Sequence, residues 1–224
     1  MTIRTLTPEL LDSLPPEHPD AIRSRRDLRW INQTMGNHRW FARVLPPLLR
    51  NGERALELGA GTGELAARLA ARGIAVDGLD FCPRPPHGKI PGGRAWHTGD
   101  LRTFRHYADY NAVYGNLIFH HFSNAELASL GATLRRSVRL ILASEPTRSL
   151  RSQRLIALAG RTLGASPVTL HDAHVSVAAG FSADELPRLL GFDTTEWEIR
   201  CHTTWLGAYR MIASRRVWPP PPAP

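Results

Sequence analysis

The sequence predicts an α/β fold: a doubly wound, mostly parallel seven-stranded sheet with an antiparallel C-terminal edge and an N-terminal helical lid. Three observations predict it. From residue 53 onward, short apolar runs alternate with helix-like runs, the pattern of a parallel sheet covered on both faces. The stretch ALELGAGTGELAARLA (55–70) sets Gly59, Gly61 and Gly63 at the seam between a strand and a helix. Residues 194–216 read as two closing strands joined like a hairpin.

Each element has its own reason. Residues 8–50 read as helical and form the lid: DAIRSRRDLRWINQTM carries Ile22, Leu28, Ile31 and Met35 at roughly helical spacing, Gly36 can end that helix, and HRWFARVLPPLLR continues up to Pro46–Pro47. RALELG is an apolar strand, GELAARLAARG a helix ended by Gly73, IAVDGLD a second strand and GRAWHTGD a third. NAVYGNLIF, apolar on both faces, is a central fourth strand. In SNAELASLGATLRRS, Ser123 is the N-cap of a helix and Glu126 completes a capping box. VRLILASEP is a fifth strand, LRSQRLIALAGRTLG a helix, and SADELPRLLG another, capped by Ser182. Between Asp80 and Arg94 the prolines and glycines of FCPRPPHGKIPGG exclude a regular crossover helix, so 82–93 is expected to be an irregular loop. The expected organisation is a lid at 1–50, a sheet domain at 51–216 and a disordered Pro-rich tail at 217–224.

Composition narrows the function. A chain of 224 residues with 42% hydrophobic content suits one domain with an appended helical segment. No apolar run approaches the roughly 20 residues of a membrane span, and the N-terminus lacks a basic-then-apolar leader. Cys82 and Cys201 are far apart, so a disulfide framework is not expected and a reducing cytoplasm is the default location. No Cys/His cluster has zinc spacing, and no metal is expected. The formal charge of +8 invites nucleic acid, but Lys89 is the only lysine, the arginines are scattered, and no aromatic RNA-binding motif or basic tail accompanies them.

Glycines at a strand-to-helix turn permit a tight bend and close approach of a ligand to the backbone, with the helix N-terminus facing it. An acidic residue ending the next strand then meets ribose hydroxyls; Asp80 lies 17 residues past Gly63. A dinucleotide turn wants G-x-G-x-x-G, whereas GAGTGE is G-x-G-x-G, with Glu64 in place of the third fingerprint glycine. Glu57, two places before the first glycine, is poor company for a pyrophosphate and suits an ammonium or sulfonium. Both acids disfavour a nicotinamide oxidoreductase.

These residues resemble motif I, E/D-x-G-x-G-x-G, of the class I S-adenosylmethionine-dependent methyltransferases, and with it the Rossmann-like methyltransferase fold. GLD (78–80) is similar to that family's ribose-binding acid, HTGDL (97–101) to its adenine-contacting G-D pair, and NAVYGNLIFHHF (111–122) to the fourth strand of a small-molecule branch. That branch lies near the ubiquinone/menaquinone-biosynthesis methyltransferases and those beside type III polyketide synthases. WINQTMG (30–36) and HDAHVSVAAGFSADEL (171–186) extend the resemblance over most of the chain. It implies S-adenosylmethionine as cofactor and S-adenosylhomocysteine as product, contacted by Glu57, Gly59, Ala60, Gly61, Gly63, Asp80, Phe81, Asp100, Leu101 and Asn116. Two departures stand out. Asn111 replaces the acid that usually opens the fourth strand, removing an ion pair. The Pro/Gly loop replaces the helix that usually walls the adenine side.

Methyl transfer needs positioning and, for some acceptors, a base. His120 and His121 end the fourth strand, where such sheets bind ligands, and are the candidate catalytic residues; the alternative is that one packs and the other caps the next helix. His171 and His174, beside Asp172, are candidate substrate contacts on a loop between two helices; alternatively Asp172 caps a turn there. Asn32, with Trp30 and Gly36, is a third candidate on the lid, set against surface polarity for Asn32 and core packing for Trp30. The expected partner is a small phenolic, quinone-like or polyketide acceptor, O- or C-methylated, with no nucleic acid and a monomeric or homodimeric chain. An RNA or protein methyltransferase and a non-catalytic cofactor-binding protein are the competing readings.

Overall fold

The computed structural model describes residues 3–15, 17–84, 95–162 and 164–218. The expected tail, from 219, and most of the expected loop at 82–93 lie outside the described residues. Helices α1 (Leu10–Ser13), α2 (Pro19–Thr34) and α3 (Asn37–Leu48) precede the sheet. Then come β1 (Arg54–Leu58), α4 (Glu64–Ala70), β2 (Ala75–Asp80), β3 (Trp96–Thr98), β4 (Ala112–Asn116), α5 (Asn124–Ser137) and β5 (Leu140–Pro146). Helices α6 (Leu150–Thr162), α7 (Pro167–Ala179) and α8 (Glu185–Leu189) lead to β6 (Trp197–Thr203) and β7 (Ala208–Arg215). A 3₁₀ turn, Phe119–His121, follows β4.

The seven strands run in the order β3-β2-β1-β4-β5-β7-β6. β1 to β5 are mutually parallel, while β7 is antiparallel to β5 and β6 to β7. The order reverses between β1 and β4, so the carboxyl ends of these strands open the crevice where a doubly wound sheet takes its ligand. One face packs Leu56, Val113 and Ile141 against Leu127, Leu130 and Leu134 of α5. The other packs Tyr114 and Leu142 against Phe41 and Leu45 of α3 and Leu65 and Leu69 of α4. β4 and β5 are covered on both faces, as their unbroken apolar runs require.

Four local expectations are corrected. Helix α3 runs through Pro46 and Pro47 to Leu48 rather than stopping at them. Pro46 has no N–H to offer the Ala42 carbonyl one turn back, and Arg72 donates to that carbonyl instead. Ser182 is not the N-cap of α8, which starts at Glu185 behind Asp184; the Ser182 N–H instead donates to the Glu185 carboxylate at 3.3 Å. The HDAH segment is helix, not loop. Ser166 caps α7 by accepting the Thr169 N–H and Pro167 occupies the first turn, a start signal present in the sequence as ASPVT. The ion pair missing at Asn111 is made elsewhere: the Arg54 guanidinium pairs with Asp77, whose second oxygen accepts the Ala95 N–H at 3.0 Å, while Asn111 accepts the Arg54 N–H at 3.1 Å. The Ser123–Glu126 capping box forms as predicted.

Candidate active site

Gly59, Gly61 and Gly63 all take left-handed backbone angles, φ +61°, +54° and +74°. A Cβ on Gly59 would stand 2.7 Å from the Ile118 side chain, so Gly59 is required by both conformation and space. Gly63 is the N-cap of α4. The Asp80 carboxylate reaches across from the end of β2 and accepts the Gly61 N–H at 2.7 Å and the Cys82 N–H at 2.8 Å. Ala60 donates its N–H to the Leu79 carbonyl, closing the turn against β2. Glu57 lies below this turn, buried. Burial pushes its carboxyl up to about 8, against the opposing pull of the Tyr114 hydroxyl and the Ala66 amide of α4. The sequence places Glu57 toward a ligand; the structure places it against Tyr114, at 3.2 Å, and the first turn of α4.

At the ends of the neighbouring strands, Phe81 is exposed and Leu101 buried. Asp100 is held by Arg102, whose Nη2 donates at 2.6 Å and whose Nη1 also reaches Glu126 at 2.5 Å. That hydrogen bonding keeps the Asp100 carboxyl below the usual carboxylate range. The Asn116 side-chain amide donates to Asn32 Oδ1 at 2.9 Å, and the Asn37 side-chain amide donates to the same oxygen at 3.1 Å. The lid is thus pinned to the end of β4 by Asn32, while Trp30 is exposed and Trp40 supplies the core packing.

His120 is buried on the 3₁₀ turn after β4. Its Nδ1 is 2.6 Å from Glu145 and its Nε2 is 3.3 Å from Glu9. Glu145, at the end of β5, also accepts the N–H groups of Ile118 and Phe119 at 3.0 Å each. Burial opposes a charge on His120, but the two carboxylates outweigh it and hold its pKa up at about 9. His120 is therefore protonated near neutral pH and cannot take a proton there. His121 is half-buried, its ring 4.3 Å from that of His120 and its Nδ1 3.6 Å from Asp12. Both histidines line a cavity of about 300 Å³ completed by Glu9 and Asp12 of the N-terminal arm and by Val175, Ser176 and Ala179 of α7. The arm is tied down by Arg4, which donates to the carbonyls of Ala179 and His120 and lies over the Phe181 ring.

His171 and His174 stand on the exposed side of α7 and do not line this cavity. On a helix of 3.6 residues per turn, Val175 and Ser176 face inward instead. Asp172 is buried and accepts the N–H groups of Leu10 and Leu11 at 2.8 and 3.0 Å, capping α1 from outside. Sequence reading missed Glu9, Arg4, Asn37 and Glu145. Only Glu145 left a signal, a carboxylate closing an apolar strand. Glu9 meets His120 across 111 positions. Among the described residues, Glu9, His120 and His121 form the one group whose donor atoms, within 4.8 Å of one another, could hold a cation.

No protein-family model matches the sequence, and no curated protein matches it. Solved structures do match the fold. The plantazolicin methyltransferase BpumL in complex with SAH aligns with a TM-score of 0.69 at 13% identity, covering 92% of each chain. The pyocyanin biosynthetic protein PhzM aligns at 0.58 and 20% identity, over 89% of this chain and 59% of that one. The magnesium protoporphyrin IX methyltransferase ChlM of Synechocystis PCC 6803, with bound SAH, aligns at 0.53 and 18% identity, over 82% and 83%. The fold is that of the class I S-adenosylmethionine-dependent methyltransferases.

Proposed function

We propose that the chain is an S-adenosylmethionine-dependent methyltransferase acting on a small molecule with an ionisable oxygen or activated carbon, of the phenolic, quinone-like or polyketide kind. One observation carries the cofactor reading: three left-handed glycines at the end of β1 lie beside a carboxylate, Asp80, that already accepts the turn's Gly61 amide. The residues fit the group. Gly61 and Thr62 are exposed, so a ligand can lie against the turn, and Asp80 offers acceptors to a ribose. The neighbours that hold SAH on the same fold add support.

S-adenosylmethionine, when bound, supplies a methyl group already activated by a sulfonium, so the chain's work is to position, to exclude water and to manage one proton. The N-terminal arm and α7 enclose the cavity beside His120 and His121. Protonated His120 has both ring N–H groups taken by Glu145 and Glu9, so it serves as a fixed ion-paired support behind the His121 ring, 4.3 Å away. His121, half-buried beside it, is the group placed to take the acceptor's proton, with Asp12 within reach of its ring. No metal is assigned to this reading. Calorimetric titration tests the cofactor: S-adenosylmethionine or S-adenosylhomocysteine binds and NAD does not. NAD binding without S-adenosylmethionine binding ends the reading.

A second reading, methylation of RNA or of a protein, draws on one feature. An open cleft of about 570 Å³ is lined by Arg39 and Arg43 of α3 and by Arg72 just past α4. It lies at the far end of α4 from the glycine turn, and a macromolecular substrate would make binding strongly salt-dependent.

A further inference from the structure

The cavity between the N-terminal arm and the end of β4 brings a carboxylate to two histidines far from it in sequence. Glu9 lies on the arm, 111 positions from His120, so no zinc-like spacing announces the group. Among the described residues, Glu9, His120 and His121 alone set three potential ligand atoms within 4.8 Å of one another. Two imidazoles and a carboxylate are a donor set for a borderline cation of the zinc class, whereas magnesium and calcium take oxygen donors.

The geometry suits such an ion in spacing, orientation and charge. Bonds of about 2.0–2.2 Å at tetrahedral angles set neighbouring ligand atoms about 3.4 Å apart. His120 Nε2 stands 3.3 Å from Glu9 Oε1, a looser contact than the 2.6 Å between Nδ1 and Glu145 on the ring's other side. A metal-binding histidine gives its other ring N–H to a carboxylate, which fixes the ring and leaves the far nitrogen to the ion. Glu145 is placed to do this for His120, being fully buried and itself fixed by the amides of Ile118 and Phe119. Glu9, Glu145 and Asp12 surround the two rings, and against them stands the Arg4 guanidinium on the His120 carbonyl. That surplus of negative charge matches a divalent cation. The cavity of about 300 Å³, lined by all three ligands, has room for a water in a fourth position.

We propose that Glu9, His120 and His121 form a site for a divalent zinc-class ion, with Glu145 orienting His120, and that the ion takes the place of the proton between His120 and Glu9 and ties the arm to the end of β4. With the ion in place His121 is a ligand, so this is not the form in which it takes an acceptor's proton. The test uses the full chain, stripped of metal by a chelator, with Zn²⁺, Co²⁺ and Mg²⁺ as probes. Calorimetry should show a Zn²⁺ site in the wild type that Mg²⁺ in large excess does not displace. Glu145→Gln should weaken it by about 10–100-fold, and Glu9→Gln, which loses a ligand, by about 100-fold or more. Co²⁺ should give the visible absorption of a tetrahedral ion in the wild type and lose it in Glu9→Gln. Hydrogen exchange at Leu10 and Leu11 should slow on adding Zn²⁺ to the wild type. Glu145 is fully buried, so Glu9→Gln, on the half-buried arm, carries the test if Glu145→Gln does not fold. No Zn²⁺ binding by the wild type, equal binding of Mg²⁺, or Zn²⁺ affinity unchanged in Glu9→Gln overturns the site. Zn²⁺ binding that leaves exchange at Leu10 and Leu11 unaltered overturns the tie of the arm. None of these results bears on the cofactor reading, which S-adenosylhomocysteine binding decides separately.

Discussion

Asp80 shows how one carboxylate serves structure and ligand together. It holds the Gly61 amide of the turn and the Cys82 amide just past β2, and a carboxylate has further lone pairs to offer a ligand. Asp80→Ala should weaken S-adenosylhomocysteine binding by about tenfold or more, since charge-assisted hydrogen bonds are worth roughly 1.5–3 kcal/mol each at most. An unchanged dissociation constant would remove Asp80 from the site. The glycines and Asp80 were legible because their roles are local: a turn needs φ above zero, and a strand end needs an acid. The state of His120 was not legible, because Glu9 and Glu145 reach it from distant parts of the chain. Its raised pKa divides the histidine pair. His121→Ala should lower turnover on a competent phenolic acceptor by about 10²–10⁴-fold with cofactor affinity nearly unchanged. His120→Gln should raise the Michaelis constant more than it lowers turnover. Full activity in both variants would exclude the pair from the chemistry.

At the scale of elements, the N-terminal arm matters more than its sequence discloses. Residues 3–14 have little helix of their own, α1 being a single turn without a side-chain cap from its own N-cap residue. What holds α1 is Asp172, which meets its first two amides across the molecule. A helix this short does not persist alone. Asp172→Ala should therefore release the arm, exposing Glu9 and opening the cavity, while the sheet stays folded. Hydrogen exchange checks this directly: the amides of Leu10 and Leu11 should exchange at least about tenfold faster, as expected on losing a hydrogen bond to a charged group, with β4 and β5 unaffected. Equal protection in the variant would mean that the arm is held by its other contacts, those of Arg4, Thr5 and Glu9. The same contact explains why α7 was misread. Taken alone, HDAH looks like a polar loop, but its aspartate is inward because it caps another element, and its two histidines stand on the exposed side of the helix.

The alternation of apolar strands and helices made the architecture of the whole molecule readable, since a parallel sheet dictates its own two-sided cover. Titration couples that architecture to the site. His120 sits at about 9 in the folded chain against an ordinary 6.5, raised by its two carboxylates despite burial. Its contribution to stability is complete below about pH 6.5 and is lost as the pH rises through 9. Glu57 is pushed by burial to about 8 from an ordinary 4.5, so between those values the folded chain holds a proton that the unfolded chain has released. Stability falls with rising pH across that window too. Glu9 works in the opposite sense. Burial opposes its charge, but His120, His121 and Ser176 keep its carboxyl below 4.5, so its contribution is present above that value and is lost in acid. The three together place the stability maximum at mildly acidic pH, with Tm falling by roughly 5–10 °C toward pH 9. Glu57→Gln keeps an acceptor for the Tyr114 hydroxyl and removes one titrating group, so its Tm should decline less between pH 5 and 8 than that of the wild type. Thermal scans of both chains over this range decide the point. A wild-type Tm that rises from pH 6 to 9 would mean that neither His120 nor Glu57 holds its proton in the folded state, and the ion-paired state of His120 between Glu9 and Glu145 would fall with it.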